Sequence, residues 1–433
     1  MRWRSIDICP ATGRFRLYTC LLLCSAVAFP FLSCQDGSQI DKNGTPVHSP
    51  QGSFRYDLDF LNRQDSVIVL QNSQGNGELI VSPRYQGKVF TSTAQGDSGT
   101  SFGWINYPAF AAAVDSHMNA YGGENRLWLG PEGGKYSLFF TRGKSMVYPN
   151  WKTPSPFDTE AWSVTSRNSR SVTMHKDMQI SNYAGTSFSL AIDRSVTILD
   201  RGQIDSLLGI PMDTSINAVG YQTVNILTNT GAHEWTAGSG MPCIWMLDMF
   251  RPSPSAVIII PFRRGVIRQD RSESGRIATT DYFGKIPPER FVVKDSAILY
   301  RADGNSRGKL GIYPPRAKPV AGSFDADNRV LTIILFDVDP GGKYLNQEWS
   351  IGKPPFSGDA VNAYNDGPLA DGTKMGPFYE LESVSPAAFL QPRQAQTHHH
   401  AVFHFIGSEK DLNTISRLVL GTSLGEIKKA FPG

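Results

Sequence analysis

Cysteine is scarce in this chain, so disulfide bonds are not expected to hold its fold together. Five cysteines occur among 433 residues, and three of them lie within the first 33. Of the other two, Cys34 directly follows the N-terminal apolar segment, and Cys243 begins the apolar run Cys-Ile-Trp-Met-Leu. If Cys34 is modified, Cys243 has no partner for a disulfide bond. We therefore expect Cys243 to be a buried free thiol.

Net charge is also lacking in the chain that would remain after N-terminal processing. The whole sequence has 42 Lys and Arg residues against 39 Asp and Glu residues. Removal of residues 1–33 takes away four Arg and one Asp, which leaves 38 residues of each sign. A neutral chain gives no reason to expect nucleic acid or another polyanion as a partner.

Long apolar runs are absent after the N-terminus. Four arginines precede an apolar run over Leu17 to Leu32, which polar residues and a proline interrupt. This pattern is typical of a secretory signal rather than a membrane span. We predict a signal peptide over residues 1–33 and a polar tether over residues 34–51.

The end of the signal, Phe-Leu-Ser-Cys34, resembles a loose bacterial lipobox, in which the cysteine carries lipid. An ordinary cleaved signal followed by an incidental cysteine is the alternative. The lipobox predicts lipidation of Cys34 and an exported protein anchored in the bacterial cell envelope, at the outer membrane or in the periplasm. The lipid would then be its only contact with a membrane.

Helical patterns are nearly absent between Gln51 and Gly407, where short apolar or alternating runs are separated by Gly, Pro, Asn and Asp. This pattern predicts an all-β fold and argues against alternating strands and helices. The predicted strands include residues 66–71, 78–82, 126–129, 136–140, 187–192, 219–227, 256–262, 291–300, 330–336 and 378–384.

The C-terminus is the exception, because Leu412, Ile415, Leu418 and Val419 keep helical spacing. Ser423 and Glu426 could then form the capping box of a last short helix. Two sandwich domains or one large one would fit the strand-rich part. The absence of an internal Pro/Ser linker favours a single β-sandwich domain over residues 52–433, with the helical segment at one edge.

The segment Gly376 to Phe405 is the richest in ionisable side chains. With period-two alternation, Glu380 and Glu382 share one face of the first run, and His398, His400 and His404 share one face of the second. If the two runs pair, these side chains form one cluster on a groove wall. The cluster would suit acid/base chemistry, a transition metal bound by histidine, or a histidine row that only binds hydroxyl groups.

A second constellation lies between Tyr121 and Glu132. Alternation predicts Glu124, Arg126 and Trp128 on one face, and Glu132 follows on a tight Gly-Pro turn. An indole that stacks on a sugar ring, beside charged groups that bind its hydroxyls, is typical of a carbohydrate site. A surface ion pair beside a half-buried tryptophan is the alternative.

Further polar groups lie between the predicted strands, and we include four of them in the predicted substrate site: Asp281, Lys285, Lys309 and Tyr364. The turn over residues 358–367 is rich in carboxylate and amide oxygens, which could hold calcium. Its spacing matches no EF-hand, and an ordinary turn is the alternative.

Five blocks of the sequence resemble a family of uncharacterised lipoproteins from Bacteroidetes. The blocks read GGxxRxWxGPEGG, DYFGKxPPxR, DGxxRxKxGI, GDxxNxYNDG and GPFYELExxSPA, and they begin at residues 122, 281, 303, 358 and 376. The resemblance covers essentially the whole mature chain. It implies a galactose-mutarotase-like β-supersandwich and a groove that faces carbohydrate.

In aldose 1-epimerases of that fold, a glutamate removes a proton from the anomeric hydroxyl and a histidine protonates the ring oxygen. The resemblance implies Glu380 as the base. The usual histidine block is missing after Thr228-Asn-Thr, so His398 or His400 is the predicted substitute acid. The hypothesis is a carbohydrate-binding lipoprotein with epimerase, lyase or hydrolase chemistry. The alternatives are a non-catalytic glycan-binding lipoprotein of a polysaccharide-utilisation system and a structural envelope protein.

Overall fold

The alternating runs of the sequence form antiparallel strands in a computed structural model of the chain, which describes residues 49–265, 277–369 and 372–431. The predicted signal peptide, Cys34 and most of the predicted tether lie outside the described residues. Within the described ranges, no helix is long and apolar enough to cross a membrane.

The strands, numbered along the chain, are β1 (Ile68–Gln71), β2 (Glu78–Ser82), β3 (Lys88–Thr93), β4 (Arg126–Gly130), β5 (Ser163–Arg167), β6 (Ser171–Ser181), β7 (Ser187–Ile198), β8 (Asn217–Asn229), β9 (Cys243–Phe250), β10 (Ala256–Pro261), β11 (Phe291–Val293), β12 (Ala297–Arg301), β13 (Gly308–Ile312), β14 (Val320–Asp325), β15 (Val330–Phe336), β16 (Val361–Asn365), β17 (Tyr379–Val384) and β18 (Ala395–Ile406). The helices are α1 (Phe54–Asn62), α2 (Arg201–Leu208), α3 (Glu409–Ile415) and α4 (Leu424–Lys428). One π-helical turn, Ser416–Leu420, follows α3.

Three antiparallel sheets contain these strands. A three-stranded sheet has the order β1-β2-β3, and a ten-stranded sheet has the order β11-β12-β10-β14-β15-β18-β8-β7-β6-β5. A five-stranded sheet has the order β13-β16-β17-β9-β4. The predicted all-β sandwich is confirmed.

The core lies between the five-stranded and the ten-stranded sheets. Met246 and Leu381 from the former, and Ile334 and Val402 from the latter, are completely buried in one apolar cluster. Full burial of such a side chain contributes about 1.5–3 kcal/mol to stability. Cys243 belongs to the same cluster as a free thiol, as predicted, and burial raises its pKa to about 12.

The C-terminal helices form as predicted. The Ser423 side chain accepts a hydrogen bond from the backbone N–H of Glu426, and the Glu426 side chain accepts one from the backbone N–H of Ser423. This reciprocal capping box satisfies two backbone donors that the first turn of α4 would otherwise leave free.

Two predicted strands differ in the structure. Residues 136–140 form a turn and a single bridge between Phe140 and Trp151 instead of a strand. Residues 291–300 divide into β11 and β12, which pair with each other. Apolar residues alone cannot distinguish a strand from a buried turn or a hairpin.

The predicted pairing of the Glu380 and His398 segments is wrong. Strand β17 pairs with β16 and β9 in the five-stranded sheet, whereas β18 pairs with β15 and β8 in the ten-stranded sheet. The connection between β17 and β18 therefore passes from one sheet to the other, although its sequence resembles the loop of a hairpin.

Candidate functional site

One face of the five-stranded sheet, which we call the outer face, carries five of the eleven predicted catalytic and substrate-binding residues. In the strand register, Glu382 lies opposite Leu247 and Leu247 lies opposite Arg126, while Glu380 lies opposite Tyr364 and Tyr364 opposite Lys309. Residues opposite each other in an antiparallel pair point to the same side. Arg126, Lys309, Tyr364, Glu380 and Glu382 therefore share this face.

Arg126 and Glu380 form a buried hydrogen-bonded pair at this face. Arg126 Nη2 lies 2.5 Å from Glu380 Oε1, and the two residues are only 5% and 7% exposed. Burial raises the pKa of Glu380 to about 8, against the opposing effect of the positive charge of Arg126. Burial disfavours the charged form of Arg126 as well, and it therefore lowers the pKa of this guanidinium group. A carboxyl group with a pKa near neutrality can both accept and return a proton.

Lys309 and Glu382 form a second buried pair beside the first. Lys309 Nζ donates to Glu382 Oε2 at 2.8 Å, and the indole N–H of Trp245 donates to the same oxygen at 2.8 Å. The ammonium of Lys309 also lies 4.6 Å from the ring centre of Trp245. One carboxylate oxygen is thus fully engaged by protein donors.

Glu132 and Tyr364 border these pairs. The backbone N–H of Glu132 donates to the Gln347 side chain at 2.9 Å, and burial raises the pKa of the Glu132 carboxyl group while Lys309 opposes the rise. Tyr364 donates its hydroxyl to Asp366 at 2.9 Å and accepts from Arg307 Nε at 3.2 Å. We call Arg126, Glu132, Lys309, Glu380 and Glu382 the Glu380 cluster.

Several buried polar atoms on or next to the outer face have no hydrogen-bond partner among the residues that the structure describes. Leaving a buried polar group without a partner costs about 1–3 kcal/mol, and such groups are rare in folded proteins. Their concentration at one place is typical of a site that a polar ligand completes. The atoms are Arg126 Nε, Trp128 Nε1, Trp151 Nε1, Gln347 Nε2, Asn362 Oδ1 and Glu382 Oε1.

Trp128 shares the outer face with Arg126, whose guanidinium carbon lies 5.0 Å from the indole ring centre. Other aromatic rings cover Trp128, with ring-centre distances of 5.5 Å to Phe139 and 6.3 Å to Phe157. This packing favours a core role for the ring, whereas the sequence predicted that the ring would stack on a sugar. Its buried N–H has no hydrogen-bond partner among the described residues.

Glu124 does not share the face of Arg126, contrary to the prediction. Its carboxylate accepts from the Ser92 hydroxyl at 2.7 Å and lies 3.0 Å from His404 Nε2, between the two large sheets. The glycines at 122 and 123 have φ angles of +82° and +125°, and Glu124 lies in a bend before β4 begins at Arg126, so the alternation of the strand does not extend back to Glu124.

His398 and His400 are also remote from Glu380, contrary to the prediction. The Ser383 hydroxyl lies 2.9 Å from His398 Nε2 and 2.9 Å from His400 Nδ1, and His400 Nε2 lies 2.7 Å from Asp248. Because side chains alternate along β17, Ser383 points away from the face that carries Glu380. Both histidines are completely buried between the sheets.

Burial also determines the charge of His398. It lowers the pKa of this imidazole to about 3, so the ring is neutral at physiological pH. The histidine row therefore contributes hydrogen bonds to the core, where the sequence predicted a substitute acid at the groove.

Asp281 and Lys285 line a different cavity of about 350 Å³, together with Thr280, Ile286 and Phe291. None of these residues belongs to the strands that carry the Glu380 cluster. The intervening residues Tyr282 and Phe283 nevertheless pack against the outer face, because the Tyr282 ring centre lies 5.6 Å from Lys309 Nζ and the Phe283 ring centre lies 6.0 Å from that of Tyr364.

The oxygen-rich turn over residues 358–367 is engaged by protein donors. Tyr282 donates to Asp359 at 2.6 Å, and the backbone N–H groups of Gly304 and Gly376 donate to Asn365 and Asp366. Within the described ranges, no group of three or more His, Cys, Asp or Glu side chains could hold a metal ion. The calcium site and the histidine-bound metal remain predictions.

Trp245 and Trp151 are among the residues of the site that were not in the predicted set. Trp245 contacts Glu382, but its apolar neighbours indicated only a core strand. Trp151 follows a turn, and no sequence signal linked it to Arg126. Extension of the period-two pattern through β9 would have found Trp245, because Trp245, Leu247 and Met249 alternate onto the outer face.

Residues 52–431 match the model of a protein family described as a family of unknown function (DUF6786). No curated protein sequence matches the chain.

Several solved structures are similar to the chain. A protein from Synechocystis is 12% identical, with a TM-score of 0.45 over 78% of this chain and 96% of that one. A galactose mutarotase-like protein from Lactobacillus casei is 10% identical, with a TM-score of 0.44 over 78% and 100%. A galactose mutarotase related enzyme from Lactobacillus acidophilus is 9% identical, with a TM-score of 0.41 over 78% and 97%.

Proposed function

The chain belongs to this family of unknown function, and we propose that it binds a carbohydrate at the Glu380 cluster and transfers a proton through Glu380. The observation that carries the proposal is the set of unpartnered buried polar atoms around the two buried pairs, Arg126 with Glu380 and Lys309 with Glu382. Sugars supply many hydroxyl groups, each of which donates one hydrogen bond and accepts others. A sugar can therefore satisfy unpartnered indole N–H groups and the unpartnered Glu382 Oε1 at the same time.

The chemistry of the cluster supports acid/base catalysis. Glu380 has a pKa of about 8, and its partner Arg126 keeps it in one orientation. Glu132 is the other buried carboxyl group of the cluster whose pKa is raised by burial. We assign to it the role of acid that the sequence predicted for His398 or His400. Two carboxyl groups in different surroundings can serve as acid and base in epimerase, lyase or hydrolase chemistry.

Calorimetry of the wild type and Glu380→Gln against a panel of mono- and oligosaccharides tests the proposal. We expect the wild type to bind at least one sugar, and we expect Glu380→Gln to lose at least about 100-fold in turnover, a typical loss for a general acid or base. NMR spectra of the sugar would report epimerisation, elimination or cleavage. Glu409→Gln is the matched control, because this glutamate forms an exposed ion pair with Lys428.

The possible outcomes separate the function classes. Binding without turnover by the wild type would contradict the catalytic role and favour a non-catalytic glycan-binding protein. No binding of any sugar would contradict both carbohydrate functions and favour a structural envelope protein.

We also propose that the protein is exported and anchored in the bacterial cell envelope through lipid on Cys34. The proposal rests on the N-terminal apolar run and on the Phe-Leu-Ser-Cys sequence that ends it. We expect the mature wild type to partition into a detergent phase and Cys34→Ala to move to the aqueous phase. Cys243→Ala is the control, because it removes the other cysteine that follows the predicted signal peptide and leaves Cys34 intact. A Cys34→Ala protein that stays in the detergent phase would contradict the anchor.

A further inference from the structure

A row of nearly parallel aromatic rings leads from the Glu380 cluster to solvent. Trp151 and Trp349 have ring centres 6.1 Å apart and an interplanar angle of 23°. Tyr148 lies 6.1 Å from Trp151 at 18°, and His117 lies 5.1 Å from Tyr148 at 8°. We call His117, Tyr148, Trp151 and Trp349 the aromatic row.

Trp151, the buried ring of the row, adjoins the proposed sugar site. The ring of Trp151 lies 6.5 Å from that of Trp128, which in turn lies against Arg126. The indole N–H groups of Trp128 and Trp151 are both buried, and neither has a partner among the described residues. A ligand that satisfies these donors would thus reach from the cluster to the row.

The outer end of the row is open to solvent. Trp151 is buried, Trp349 and His117 are half-buried, and Tyr148 is 54% exposed. His117 Nε2, which is buried, has no hydrogen-bond partner in the described part of the chain. Exposure is therefore lowest at Trp151 and highest at Tyr148, and a polar group without a partner lies beside this most exposed ring.

The local backbone positions Tyr148 firmly. It begins a short 3-10 turn with Pro149, whose ring fixes its own φ angle. The Asn150 side chain donates to the backbone carbonyl of Ser145 at 2.9 Å, and the backbone N–H of Thr153 donates to the carbonyl of His117 at 2.7 Å. A preorganised exposed ring loses little entropy when a ligand binds.

We propose that the site takes an oligosaccharide, with one sugar unit at the Glu380 cluster and the next unit stacked on Tyr148. The inference rests on the proposed carbohydrate function and specifies the substrate class. An aromatic ring offers its face to the C–H groups of a sugar, and neighbouring polar groups bind the hydroxyls at its edge. At the solvent end of the row, Tyr148 supplies the aromatic face and the unpartnered His117 Nε2 supplies the polar group.

The test measures how the binding affinity depends on sugar length, with and without the Tyr148 ring. The probes are linear oligosaccharides of glucose, galactose, mannose and xylose, each from one to six units, measured by calorimetry. In the series that binds, we expect the disaccharide or trisaccharide to bind about 3- to 10-fold more tightly than the monosaccharide. Tyr148→Ala should lose this gain and keep the monosaccharide affinity, whereas Tyr148→Phe should keep both.

Val147→Ala is the matched control, because Val147 is an exposed neighbour on the same turn outside the aromatic row. Equal affinity for all lengths, or an unchanged length dependence in Tyr148→Ala, would overturn this inference and leave the proposed function intact. No binding in any series would contradict the proposed function, and the inference would fall with it.

Discussion

Replacement of Lys309 by methionine is expected to lower the free energy of unfolding by about 3–5 kcal/mol, the usual cost of a charge left buried without its partner. Lys309 and Glu382 are 3% and 0% exposed, and the ammonium is 2.8 Å from the carboxylate. Methionine has a similar length and an apolar chain, so the substitution removes the charge with little change in volume. Urea denaturation of both proteins, monitored by circular dichroism, measures the difference.

Two comparisons isolate the buried pair as the cause. The double variant Lys309→Met with Glu382→Gln should recover much of the loss, because no unpaired charge then remains in the core. Lys428→Met breaks an exposed pair with Glu409 and should cost less than about 1 kcal/mol. A Lys309→Met loss as small as that of Lys428→Met would contradict the structural account of the site.

The second large effect is a pH dependence of stability that originates at Glu380. The ordinary pKa of this carboxyl group is 4.5, and in the folded protein it is raised to about 8, mainly by burial. Between these two values the folded chain holds a proton that the unfolded chain has released. The free energy of unfolding therefore decreases as pH rises from about 5 to 8, by up to about 1.4 kcal/mol per pH unit for this one group.

Glu380→Gln removes this contribution, because an amide does not titrate. We expect the wild type to lose more stability than the variant between pH 5 and pH 8, and we expect parallel profiles above pH 8.5. Denaturation curves at half-unit pH intervals measure both profiles, and Glu409→Gln serves as the exposed control. Parallel profiles of wild type and Glu380→Gln throughout this range would contradict the raised pKa.

Local patterns were sufficient where the determining contacts are local. The capping box at Ser423 and Glu426 depends on residues three apart, and it forms as predicted. Strand-like runs such as residues 78–82 and 330–336 form the predicted strands, because alternation and β-branched residues suit a pleated sheet. Cys243 is buried and free, because its apolar neighbours form β9, which lies between β17 and β4 inside the sheet.

Local patterns were insufficient where two segments had to be assigned to sheets. Glu380 and Glu382 do share a face, and His398, His400 and His404 do share a face, as alternation predicted. Alternation cannot show which partner each face meets, because strand pairing depends on contacts distant in sequence. His398 and His400 therefore face Ser383 in the core, while Glu380 faces Arg126 on the other side of the five-stranded sheet.

The sequence by itself determined the all-β class and the helical C-terminus, since these follow from periodicity and from residue type, and it predicted Arg126, Lys309 and Glu380 as site residues. The tertiary structure decided which of the ionisable residues meet. Arg126 and Glu380 are 254 positions apart in the sequence. The pairing of β4 and β17 with β9 brings Arg126 Nη2 to 2.5 Å from Glu380 Oε1. The pairing of β18 with β15 and β8 places His398 and His400 in the other large sheet, and Glu124, which precedes β4, lies between the two sheets beside His404.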